Sequence, residues 1–292
     1  MIKYNPKNWF GLIFAFRRSD TLRILWKEIL YIGAFSAALS YVIIEHVHNL
    51  KYFESLLSVY SLIGFVISLL LVFRTNTAYD RWWEGRKKWG ALVNDTRNLA
   101  IKVSTMVKEK SAHHYFSHAI PNFVFATKEH LREGVLFEEL EGSEEEIERL
   151  KSKEHVPNAI SQEMYARLHE LKSSGEITQE EFITIDHNIN ALLDSLGACE
   201  RIKNTPIPFS YSLFIKKFIF VFVTTIPLGF IPLFGYGTIL IAMFLFYVLV
   251  SMEILAEEIE DPFGKDGSDL PTDELCVKIR SNVKEIFGVE GK

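Results

Sequence analysis

From Phe218 to Met252 the chain carries no Asp, Glu, Lys or Arg. A helix crossing a bilayer needs about 20 mostly apolar residues, within a range of roughly 17–25. The run is too long for one crossing and hard to place in a soluble core. "FGYG" at 234–237, just after Pro232, supplies a turn. It divides the run into spans near 214–233 and 238–255. Two other uncharged runs precede it, "ILYIGAFSAALSYVII" at 29–44 and "SLLSVYSLIGFVISLLLVF" at 55–73. The fold class expected is therefore an all-α membrane protein with four transmembrane helices per subunit and a long helical cytoplasmic region. Hydrophobic residues at 48% and charged residues at 24% look soluble only because the two are segregated along the chain.

Lysine and arginine set the orientation, since cytoplasmic flanks are rich in them. Lys3, Lys7, Arg17, Arg18, Arg23 and Lys27 precede the first span, and Arg74, Arg81, Arg86, Lys87 and Lys88 follow the second. Only Lys51 lies between the first two spans, and the connection around "FGYG" has no charge. Both termini and the middle segment are thus expected in the cytoplasm of a multi-pass protein of the plasma (bacterial inner) membrane. The layout reads as an N-terminal segment 1–27, transmembrane helices over 28–73, a cytoplasmic helical region 74–213, transmembrane helices over 214–255 and a tail 256–292. The N-terminus has a short apolar patch without a small-residue cleavage site, a poor signal peptide.

Within the middle segment, "RWWEGRKKWGALVNDTRNLAIKVSTMVKE" has helical periodicity, with Trp82, Trp89, Leu92, Val93 and Leu99 on one side. It follows the second apolar run without a turn residue. One helix is expected to leave the membrane there and continue, well placed to couple a pore to a cytoplasmic chamber. "ITQEEFITIDHNINALLDSLGACERI" at 177–202 reads as another helix, with Thr178 as N-cap and Glu181 completing a capping box. The charge run at 138–155 reads as a solvated helix or loop.

Several function classes lose support. A net charge of -5 suggests no nucleic-acid partner. Cys199 and Cys276 are too few for a disulfide framework and lack zinc spacing, so they read as reduced thiols. No phosphate-binding Gly loop, HExxH, GxSxG or kinase signature occurs. His114 and His118 stand at i, i+4, a chelating spacing, but their setting favours a solvated or packed pair. His187 is expected in core or interface packing. No nucleophile–base–orienter grouping appears, and the chain does not read as an enzyme.

Phe65, Leu69 and Phe73 recur every fourth residue on one face of the second span. Such a stripe either packs helices or forms a pore constriction that gates by excluding water. The second reading demands a symmetric oligomer. Spacing leaves both open.

The stretches "SLIGFVISLLLVFRTNTAYDRWWEGRKKWG", "LGACERIKNTPIPFSY" and "AEEIEDPFGKDGSDLP", with Trp9–Phe10, resemble the bestrophin family in its shorter bacterial form over nearly the whole chain. The resemblance implies a homopentameric ion channel for monovalent ions, its own copies and the lipid bilayer being its partners. It assigns Phe65, Leu69 and Phe73 to the hydrophobic pore neck. It places a cytoplasmic aperture at Ile183, with Glu180 as the neighbouring candidate. Chloride is the family default. Sodium or another cation is the alternative, because Glu180, Glu181 and Asp186 lie near the aperture. A membrane-anchored scaffold is the reading from another class. A transporter is disfavoured, since Pro227 and Pro232 have no counterpart in the first pair of spans.

The acidic stretch after the last span is the remaining candidate site. Calcium takes six to eight oxygen ligands, and by the family's motif Asp266, Asp269 and Glu258 match ligands of a calcium clasp. Lys265 replaces an acidic neighbour, and Gly267 and Ser268 interrupt the acidic run. No cofactor is expected to be required; calcium is possible but not favoured.

Overall fold

The computed structural model describes residues 21–47, 53 and 55–289. Trp9–Phe10, Lys51 and the four N-terminal charges at Lys3, Lys7, Arg17 and Arg18 lie outside the described residues. Among those described there is no strand. The helices are α1 (Thr21–His46), α2 (Leu56–Met106), α3 (Lys110–His130), α4 (Glu144–Lys151), α5 (Val156–Ser173), α6 (Gln179–Asn204), α7 (Phe209–Thr225), α8 (Pro227–Phe234), α9 (Thr238–Glu260) and α10 (Thr272–Phe287). Short 3₁₀ turns occupy Phe137–Glu139 and Gly235–Gly237.

Among the described residues, three segments are long and apolar enough to cross a membrane: Thr21–His46, Leu56–Met106 and Phe209–Glu260. The last is interrupted by the Gly235–Gly237 turn, at the position read from "FGYG". Gly235 holds φ at +52°, a conformation that a Cβ disfavours. At 1.5 Å per residue, α2 is about 75 Å long against a hydrocarbon core of about 30 Å.

The chain divides into two compact units. These are units of packing, whereas 73/74, 213/214 and 255/256 mark where apolar sequence ends. The first holds residues 21–81 and 206–260 among those described. Its core gathers Ile32, Tyr60, Ile67, Leu71, Ile215, Phe222, Val223, Ala242 and Phe246. Helix α1 turns Ile32, Gly33, Ser36, Ser40 and Ile43 inward. A Cβ on Gly33 would lie 2.8 Å from the Met243 sulfur, so a small residue sets the α1–α9 approach. Pro227 brings no N–H and ends α7. Near it, the Gly229 amide turns to the Ile226 carbonyl, and the Tyr60 hydroxyl donates to the Thr225 carbonyl at 2.7 Å. Gly229 makes room for that ring: its Cβ would meet Tyr60 at 2.7 Å. Pro232 sits inside α8 without ending it.

The second unit holds residues 82–205 and 261–289 among those described. Trp89, Leu92 and Leu99 of α2 are fully buried in its core, with Trp82 and Val93 packed against it, on the side that periodicity predicts. Phe116, Phe123, Met164, Leu168, Ile189, Leu192, Phe263 and Ile279 complete that core. Thr178 and Glu181 form the expected capping box at the start of α6.

The 138–155 run is a largely exposed short helix with flanking loops, as expected, tied down at a few points. Glu139 binds Lys128 at 2.8 Å, and Glu141 binds Lys284 at 2.8 Å, because basic residues of α3 and α10 need acceptors. Ser143 and Glu146 cap α4 with a second capping box. His187 is exposed on its own chain, where α6 turns Ile185, Asn188 and Ile189 inward, which leaves it to the interface half of the expectation.

Candidate functional site

Phe65, Leu69 and Phe73 are 66%, 45% and 55% exposed. Leu62, Val66 and Val72 are exposed with them, whereas Tyr60, Ile67 and Leu71 are buried. Helix α2 therefore buries one side in its own unit and presents a second, mainly apolar side, interrupted by Ser61 and Ser68 with their hydroxyls bonded back to the helix, that the described residues leave uncovered. The i, i+4, i+8 spacing places the three predicted residues on that uncovered side.

The apolar half of α2 ends at Arg74, which is only 1% exposed. Burying a guanidinium costs heavily unless it is paired. Its Nη2 donates to Glu260 at 2.7 Å and its Nε to Glu253 at 3.5 Å. Glu260 does more than pair this charge. Its other carboxylate oxygen accepts the Ile207 amide at 2.6 Å, and its carbonyl accepts the Arg81 Nε at 3.2 Å. Residues from "RTNTAYDRWW", "TPIP" and "EDPFG" thus meet on one carboxylate-bearing residue. Sequence reading singled out the three stretches without finding this hub. The signal available was an acid two residues before a Pro-Phe-Gly turn, far in sequence from a lone Arg at the end of an apolar run.

In the second unit the "PFG" turn is built into the core. Phe263 is fully buried, and a Cβ on Gly85 would lie 3.1 Å from Pro262 and 3.2 Å from Phe263. The Leu270 amide closes the loop onto the Pro262 carbonyl at 2.9 Å, and Trp82 Nε1 donates to the Ser268 carbonyl at 3.0 Å. Arg132 donates to the Phe263 carbonyl at 3.0 Å and to Asp273 at 2.8 Å. The Arg132 and Lys128 cations hold the Asp273 carboxyl well below its usual range.

The calcium candidates are spent differently from one another. Asp269 is buried, and one oxygen accepts the Asp266 amide at 2.6 Å, closing the acidic loop on itself. A Cβ on Gly264 would sit 2.6 Å from that oxygen. Burial pushes the Asp269 carboxyl up to about 6. Its second oxygen has no hydrogen-bond partner. Glu258 lies on α9, in the other unit.

On α6, Glu180 is exposed and Ile183 is 56% exposed. Two neighbouring carboxylates are already engaged. Glu181 accepts the Thr178 amide at 2.8 Å, and Asp186 accepts from Asn190 at 3.0 Å. His114 and His118 pack edge to face, with ring centroids 5.5 Å apart, and His118 Nδ1 lies 2.9 Å from the His114 carbonyl. Burial lowers the His118 pKa. Cys199 and Cys276 are buried free thiols, and burial pushes Cys199 up to about 12. Among the described residues, one group of three His, Cys, Asp or Glu side chains brings its ligand atoms within 4.8 Å of one another: His130, His155 and Glu200. Sequence reading missed it, because the three lie far apart along the chain without a local motif.

The family described as "Bacterial/Fungal Bestrophin protein" matches residues 1–285. A voltage-dependent anion channel-forming protein of Nostoc sp. is 33% identical over 288 residues, covering 96% of this chain and 92% of that protein. A voltage-dependent anion channel-forming protein of Escherichia coli (strain K12) is 29% identical over 289 residues, covering 98% and 94%. The crystal structure of a bacterial bestrophin homolog from Klebsiella pneumoniae superposes with a TM-score of 0.80 at 26% identity, covering 90% of this chain and 100% of that one.

Proposed function

The chain belongs to the family of bacterial and fungal bestrophin proteins, and from that premise we propose that it is a homopentameric channel for monovalent anions, chloride above all. The pore axis runs along α2, and Phe65, Leu69 and Phe73 of the five subunits form its neck. The aperture lies at Ile183, with Glu180 beside it. Helices α1, α2, α7–α8 and α9 make four crossings of the plasma membrane, with both termini in the cytoplasm.

The observation that carries this reading is the uncovered apolar face of α2. A helix that buries Ile67 and Leu71 in its own unit and exposes Phe65, Leu69 and Phe73 needs something else to cover it. Symmetric copies around an axis do so and create a water-excluding ring. The names of the relatives from Nostoc and Escherichia coli support an anion as the permeant species. No catalytic step is assigned.

Calcium is not required for opening. Asp269 uses one carboxylate oxygen to close its own loop, and that carboxyl holds its proton more readily than an ordinary one. Purified protein in planar bilayers is expected to carry current that persists in excess chelator. A silent bilayer with intact oligomeric protein contradicts the channel reading. Current lost with chelator, restored by calcium and abolished by Asp266→Ala contradicts the calcium reading.

A further inference from the structure

We propose that His130, His155 and Glu200 form a binding site for a divalent transition-metal ion of the zinc class. His130 is the last residue of α3, His155 is the N-cap of α5, and Glu200 lies near the end of α6. Three helix segments distant in sequence therefore deliver one ligand each. Both histidine Nε2 atoms converge on the same carboxylate oxygen, His130 at 2.8 Å and His155 at 2.7 Å, and the ring centroids are 4.3 Å apart. All three side chains are about one-third exposed or less, so solvent reaches the group without dissolving it.

Two imidazole nitrogens and a carboxylate oxygen are a donor set that zinc takes in tetrahedral geometry, with a fourth position left for water. Nitrogen donors select zinc and its transition-metal neighbours over calcium and magnesium, which prefer oxygen. Ligand atoms around tetrahedral zinc stand roughly 3.3 Å apart. Each nitrogen–oxygen pair need only open from hydrogen-bond spacing by about half an ångström, and all three atoms already lie within 4.8 Å of one another.

Without metal, His155 Nδ1 accepts the Asn158 amide at 3.3 Å. That bond puts the ring hydrogen on Nε2, where it is donated to Glu200. A metal at Nε2 needs the lone pair there. The neutral ring then carries its hydrogen at Nδ1, and the long bond from the Asn158 amide is given up. Metal binding is thus accompanied by loosening of one cap at the start of α5.

The test uses detergent-purified full-length protein stripped with chelator and titrated with zinc and, separately, cobalt. The expected result is one ion per chain and a tetrahedral cobalt spectrum. His130→Gln and Glu200→Gln keep hydrogen-bonding groups in place but remove metal ligands. Each is expected to weaken zinc binding at least 100-fold while leaving the unfolding temperature of the stripped protein near that of the parent. His114→Gln, on the packed pair, is expected to bind as the parent does. Hydrogen exchange at the Asn158 amide should accelerate when zinc is added. Absence of saturable binding, equal binding by the parent and His130→Gln, or equal affinity for magnesium would each overturn the site.

Discussion

At the scale of single residues, two carboxylates outside the apolar stripe carry the sharpest consequences. Glu260 pairs the buried Arg74 and accepts the Ile207 amide. Removing one member of a buried pair leaves an uncompensated charge, at a cost of about 3–5 kcal/mol. Glu260→Ala is expected to lower the unfolding temperature of the solubilised protein far more than Glu257→Ala, whose side chain pairs with Lys216 at an exposed position. Similar losses from both variants contradict the hub. Asp269 gives a pH dependence. Its carboxyl is raised from 3.8 to about 6 in the fold, so between those values the folded protein holds a proton that the unfolded chain releases. Stability from this group is full below the lower value and is lost as pH rises through about 6. The total is roughly 3 kcal/mol. Comparing melts of the parent and Asp269→Asn from pH 4 to 7.5 isolates it. The parent's relative stability should fall with rising pH, and parallel curves contradict the assignment.

At the scale of elements, α2 is the segment on which function turns. Its apolar half presents Phe65, Leu69 and Phe73 where the described residues leave them largely exposed. Replacing all three with Ala widens the proposed neck and removes the ring that excludes water, so open-channel conductance is expected to rise. A triple variant that conducts like the parent makes the stripe a helix-packing surface only. The existence of α2, its passage beyond Arg74 and the turn at Gly235–Gly237 were legible in sequence, because long uncharged runs and helical periodicity are local signals. The end of α7 was only half legible. Pro227 and Pro232 carry the same chemical defect, yet the helix breaks at the first alone, where Tyr60 from α2 takes the Thr225 carbonyl. The Glu260 hub and the His130–His155–Glu200 group were not legible, since each is assembled by folding from residues with no shared motif.

At the scale of the whole molecule, the proposed pore exists only in an assembly, because one helix cannot surround an axis. Mass measurement of the protein in detergent is expected to give close to five times the 33.7 kDa of one chain. A stable monomer or dimer leaves the apolar face of α2 without its proposed role. Ion selectivity is the central claim and is read most directly as a reversal potential. Purified protein in a planar bilayer, with sodium chloride concentrated on one side, should reverse near the chloride equilibrium potential. Reversal near the sodium equilibrium potential would show a cation channel on the same frame and contradict the account.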